Sequence, residues 1–182
     1  MAGISGARTF CGVYTAAQTN LDVIGVPPLG RRIVLHWVHI ANGITAAGDF
    51  KLLDGPVISV AGVTQATGTT TSLITAGVYV PTGATVVVTA STATPATNGT
   101  FVATNVNATT FTIPITIPIT IAGTCTVNAT GTTVFGALLA AYTPATFDGS
   151  RAPIVLTAAT PLCFTSATAT TQRVNIGYSV EF

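Results

Sequence analysis

The chain has 182 residues, of which 48% are apolar and only 6% charged, against roughly 25% charged in an average soluble domain. A formal net charge of +1 with no basic block excludes the clustered Lys and Arg that grip nucleic-acid phosphates, and so much apolar content excludes a disordered polyelectrolyte. A membrane partner is not expected either: Thr, Gly, Pro or Asn interrupts every apolar run within a dozen residues, short of the roughly 20 that a spanning helix needs.

The opening Met1–Phe10 shows no basic start followed by an apolar stretch, so no secretion signal is expected. Arg31–Ile40 is a β-branched and aromatic run, apolar on both faces in its second half. This is the pattern of a strand inside a sandwich and would place Trp37 in the interior. The pair Asn42-Gly43 predicts a turn, Asp49–Asp54 a strand, and Asp54-Gly55 a further turn. From Asp54 to Asp148 there is no Asp, Glu, Lys, Arg or His, a gap of 93 residues. That change of character divides the chain into residues 61–129, a β-rich middle region, and residues 1–60 plus 130–182.

The middle region opens with a Thr/Gly-rich connector over Ala61–Thr71. Short strands are predicted near Val78–Val80 and Thr85–Thr89, then a loop at Ser91–Thr97. Asn98–Val106 follows, and Asn107-Ala108 turns it back into Thr109–Ile113. Thr112–Ile121 reads T-I-P-I-T-I-P-I-T-I. As a strand it would carry an Ile stripe on one face, and Pro114 and Pro118 would disable one edge for pairing, as in a protected edge strand; ordinary apolar packing with incidental prolines is the alternative. Ala137–Ala141 is the only helix-like cluster, and its neighbours suit a strand equally well. Pro153–Thr157 and Pro161–Thr165 are short strands. Val174, Ile176, Tyr178, Val180 and Phe182 alternate with polar residues in the clearest strand of the chain. The fold class is all-β.

Catalytic groups are scarce. His36 and His39 lie three apart on a predicted strand, and strict alternation would put them on opposite faces, where they cannot share a metal. The acids Asp22, Asp49, Asp54, Asp148 and Glu181 are scattered, and Asp54-Gly55 and Asp148-Gly149 read as turns. No nucleophile, phosphate-loop or dinucleotide motif is present, so no catalytic residue, cofactor or metal is expected. Asn98, Asn107 and Asn128 begin glycosylation sequons of the kind that arise by chance in so Thr-rich a chain. Cys11, Cys125 and Cys163 are widely spaced and expected to be reduced and mostly buried. Arg31, Arg32 and Arg151 are candidate partner contacts, able to make bidentate bonds to a neighbouring carboxylate; solvated strand-end charge is the alternative.

Two resemblances rest on these residues. Val86–Ile113, with its Val88-Thr89-Ala90-Ser91 strand, Asn98-Gly99-Thr100-Phe101 and Thr109-Thr110-Phe111-Thr112-Ile113, is similar to a small β-domain of bacteriophage tail and virion proteins. The flanking parts, with Arg31-Arg32-Ile33, Leu52-Leu53-Asp54-Gly55 and the stretch Pro161 to Glu181, resemble phage virion jelly-roll proteins. The resemblance implies a jelly-roll-like antiparallel β-sandwich with an inserted small β-domain. It implies a structural virion protein, foremost a capsid decoration (cement) protein, forming a homotrimer on the major capsid protein and made in the host cytoplasm. A tail, fibre or baseplate component with a receptor-binding role is the alternative. A carbohydrate-binding sandwich module is a second alternative, disfavoured by a Trp37 read as buried.

Overall fold

The computed structural model describes residues 6–43, 47–140, 142–149, 151–167 and 171–182. Among them there is no helix. The strands in chain order are β1 (Arg8–Tyr14), β2 (Gln18–Ile24), β3 (Arg32–Asn42), β4 (Gly48–Asp54), β5 (Ile58–Gln65), β6 (Thr71–Thr75), β7 (Thr85–Thr89) and β8 (Gly99–Val102). They continue with β9 (Thr104–Asn105), β10 (Thr110–Pro114), β11 (Gly123–Ala129), β12 (Thr132–Leu139), β13 (Pro144–Asp148), β14 (Ile154–Val155), β15 (Leu162–Ser166) and β16 (Gln172–Glu181). The chain divides into two compact units, one made of Met1–Asp54 and Thr133–Phe182, the other of Gly55–Thr132.

The first unit is a sandwich of two antiparallel sheets. One has the order β1-β16-β3-β13, with β14 also on β3; the other has the order β12-β4-β15-β2. Successive strands alternate between the sheets at each end of the chain, with β13 and β14 together taking one place beside β3, and the last strand pairs between the first and the third. This is jelly-roll connectivity. Alternation explains the core: Ile33, Leu35, Val38 and Ile40 of β3 and Val174 and Ile176 of β16 face Phe50, Leu52, Leu162 and Phe164 of the opposite sheet in one cluster. The Phe50 and Phe164 rings stack with centroids 6.5 Å apart, and Tyr14 stacks on Phe164 at 5.6 Å. Asp54 closes β4 by accepting from the Thr157 amide at 2.8 Å and hydroxyl at 2.6 Å, and Gly55, at φ 78°, turns the chain away.

The second unit is a seven-stranded antiparallel sheet, β8-β7-β11-β5-β6-β10-β9, which nearly closes on itself as β8 approaches β10. It wraps a core of its own that includes Ile74, Val86, Val88, Phe111, Ile113 and Val127. Its two ends lie side by side: Ile58 pairs with Ala129, and a side chain at Gly131 would overlap the Gly55 carbonyl.

Several expectations fail in the second unit. Ala61–Thr71 is no simple connector, since β5 runs through Gln65. Val78–Val80 forms no strand, although Val80 is buried. The Ile stripe does not exist: β10 ends at Pro114, Ile113 and Ile119 are buried, and Ile117 and Ile121 are 65% and 60% exposed. Nor is β10 an edge strand, because β6 pairs with one side and β9 with the other.

Candidate interaction surface

Strict alternation breaks once in β3, with consequences for its outer face. The core residues run 33, 35 and then 38, 40, so one residue too many lies between Leu35 and Val38. The register shows the same thing: Trp37 stands opposite Gly177 and Leu35 opposite Tyr178, leaving His36 without a partner on β16. This is a β-bulge, in which two successive side chains share one side of the sheet. His36 therefore joins Val34 on the outer side, and Trp37 is followed there by His39 and Ala41. The two histidines, expected on opposite faces, lie on the same one. Trp37, expected in the interior, is 39% exposed. The bulge is pinned from the other side by the Gly149 amide, which donates to the His36 carbonyl at 2.7 Å.

His36 is held by a short polar chain. Its Nε2 lies 2.9 Å from the Ser179 hydroxyl, which donates to Glu181 Oε1 at 2.6 Å. A carboxylate only accepts, so Ser179 has its proton committed to Glu181 and must accept from His36 Nε2–H. That fixes the tautomer of the neutral ring and leaves Nδ1 as its acceptor. The order His–Ser–carboxylate is the wrong one for a nucleophilic serine, which would have to donate to the histidine.

Trp37 is fixed by a glycine. A Cβ at Gly177 would stand against the indole at Nε1, Cε2 and Cδ1, with the first nearest and the other two nearly equidistant. That position is on the ring normal, so the indole lies face-down on the Gly177 backbone, parallel to the sheet. Two rows cross the four strands around it. One is Thr9, Gly177, Trp37 and Asp148; the next is Cys11, Asn175, His39 and Thr146. All these side chains lie opposite the core-packed Phe10, Ile176, Val38 and Phe147.

The arginines expected to meet a partner are placed in two groups. Arg31 lies over the Phe182 ring, its guanidinium carbon 4.0 Å from the centroid, a cation–π contact. Arg32 stands next to it, opposite Glu181 in the register. Arg151 is exposed in the connection from β13 to β14, along the other edge of β3. Elsewhere, Asp49 pairs with Lys51 at 2.8 Å, and among the described residues no three His, Cys, Asp or Glu side chains gather as a metal site.

All three cysteines are free thiols, and Cys11, against expectation, is exposed. Burial together with the nearby Asp22 and Asp54 carboxylates pushes Cys163 up from an ordinary 9.0 to about 12. Burial alone raises Cys125, and burial with Asp22 raises Tyr14. Cys125 and Cys163 are thus held in the thiol form, which is a poorer nucleophile than the thiolate. No protein-family model, curated protein or solved structure matches the chain.

Sequence reasoning missed the Trp37 face because nothing in Leu35-His36-Trp37-Val38 marks a bulge. The available signal was the polar neighbours themselves: two histidines within four residues of a run otherwise read as fully buried.

Proposed function

We propose that this chain is a structural virion protein of a bacteriophage, foremost a capsid decoration protein that binds and reinforces the shell as a homotrimer on the major capsid protein, with no catalytic role. The observation that carries this reading is the jelly-roll strand order, an architecture used by viral capsid and lectin domains, in a chain with only 11 charged residues. Fold alone does not assign function, but the surface chemistry agrees with it. So few charges give copies little electrostatic reason to stay apart, which suits life in a packed assembly. The resemblance of Arg31–Ile33, Leu52–Gly55 and Pro161–Glu181 to phage virion proteins points the same way. The second unit, occupying the chain between β4 and β12, reads as the small β-domain inserted into that host.

Immunogold labelling of particles banded from a lysate of the source tests it. Label over the heads supports decoration. Label confined to tails replaces it with a tail, fibre or baseplate role, and unlabelled particles end the virion reading.

A further inference from the structure

We infer that the outer face of the β1-β16-β3-β13 sheet is a binding site for a neutral glycan, with Trp37 as its stacking platform. The argument begins with the ring. One face of the indole is laid on Gly177 and the residue keeps 39% of its surface exposed, which leaves the other face parallel to the sheet and open to a flat ligand. Pyranose rings stack their apolar C–H faces on such a surface, while their hydroxyls need hydrogen-bond partners around the rim.

The rim supplies them. Asn175, His39 and Thr146 form the next row, and Thr9 and Asp148 flank Trp37 in its own. Strands lie about 4.8 Å apart, so this four-strand patch spans about 14 Å, room for two or three sugar units.

The composition of the two rows selects the ligand class. Trp37 is the one large apolar side chain in them, and the row beyond adds only Val13, 62% exposed, with the smaller Ala41 and Pro144 beside Arg173, less than the apolar core of a protein–protein interface. The two rows contain no Lys or Arg; Arg173 stands on the same face one row beyond, between Val13 and Ala41, so an acidic ligand could be held only from there and would lose its affinity in salt. A single exposed indole among hydroxyl, amide and imidazole groups, with one carboxylate at its edge, fits an uncharged polyhydroxylated ligand. This inference stands apart from the virion reading: a cement or tail protein could carry such a site, and so could a module of neither kind.

Trp37 is the only tryptophan, so its fluorescence reads this face directly. The full chain is screened on an array of cello-, malto-, manno-, galacto- and chito-oligosaccharides, and the best binder is titrated against intrinsic emission. The expected result is saturable binding with a shift in Trp37 emission that persists in 0.5 M NaCl. Trp37→Ala should weaken it about 10-fold or more, followed on the array because the fluorophore is gone. Asn175→Ala should weaken it a few-fold. Trp37→Phe, which keeps a ring in place and guards against a misfolded alanine variant, should retain part of the affinity. The inference is overturned if none of these glycans binds, if Trp37→Ala binds as well as the parent, or if binding is confined to acidic glycans and lost in salt. Capsid particles that bury Trp37 while no glycan binds would overturn it too, and would leave the virion reading standing.

Discussion

Gly177 matters only because of what lies on it. In an ordinary strand a Gly→Ala change removes backbone entropy from the unfolded chain and gains about 0.5–1 kcal/mol. Here the added methyl meets the Trp37 indole, and displacing a packed ring costs about 1–3 kcal/mol. Gly177→Ala should therefore destabilise the parent and stabilise a Trp37→Ala background. Urea unfolding of the four chains measures the coupling, and equal effects in both backgrounds would show that the ring does not rest on the glycine. The thiols give a second test. Cys163 holds its proton more tightly folded than unfolded, so its contribution to stability is intact below about pH 9 and is lost as pH climbs toward 12. Between pH 8 and 10.5 the parent should lose about 2 kcal/mol more than Cys163→Ala; parallel losses would contradict the raised value. In the native chain only the exposed Cys11 should react with a thiol reagent at pH 8, and all three cysteines in denaturant.

At the scale of elements, the Ile-Pro repeat separates pattern from structure. A continuous strand would make its isoleucines equivalent, yet β10 stops where Pro114 meets Thr71. The Ile115 amide still donates to the Thr70 carbonyl at 2.9 Å, and beyond it Ile119 exchanges backbone bonds with Gly68 at 2.9 and 3.2 Å as an isolated bridge. Ile119 is 3% exposed, so Ile119→Ala should cost about 2–4 kcal/mol. Ile117→Ala and Ile121→Ala should stay within about 0.5 kcal/mol of the parent. Three equal losses in thermal unfolding would restore the stripe. The contrast shows what period-two reading can see. It placed β7 at Thr85–Thr89 and an apolar face on β16, of which Val174, Ile176 and Tyr178 pack in the core, because those strands alternate without interruption; Phe182, expected on the same face, lies past the end of β16 and is 84% exposed. It failed at β3, where one unpaired residue inverts every outward side chain beyond it, and at Val78–Val80, where β-branched residues line an irregular segment. The candidate surface was illegible for the first reason: its residues were visible as types, but their common face depends on a bulge set by tertiary pairing with β16 and β13.

For the whole molecule, the decisive feature is that the two cores share no residue. Sequence charge placed the junctions near residues 60 and 130; the compact units meet at Asp54–Gly55 and Thr132–Thr133, because β5 and β11 extend the second unit's sheet almost to its ends. Each unit pairs its strands among themselves and buries its own aromatics, Phe50 and Phe164 in one and Phe111 in the other. Cooperativity follows from shared burial, and a cavity is felt by the core that contains it. Phe111→Ala should cost the second unit about 3–5 kcal/mol and leave the first nearly untouched. Each can be followed alone, since the one tryptophan, Trp37, is in the first unit and the amides of β6, β10 and β11 belong to the second. In Phe111→Ala the hydrogen-exchange protection of β6, β10 and β11 amides should collapse to lower denaturant, while the Trp37 fluorescence midpoint stays within error of the parent. Leu52→Ala, in the first core, should do the reverse. If either variant moves both midpoints together, the molecule unfolds as one cooperative body, and the second unit is an integral part of the sandwich rather than a module carried on it.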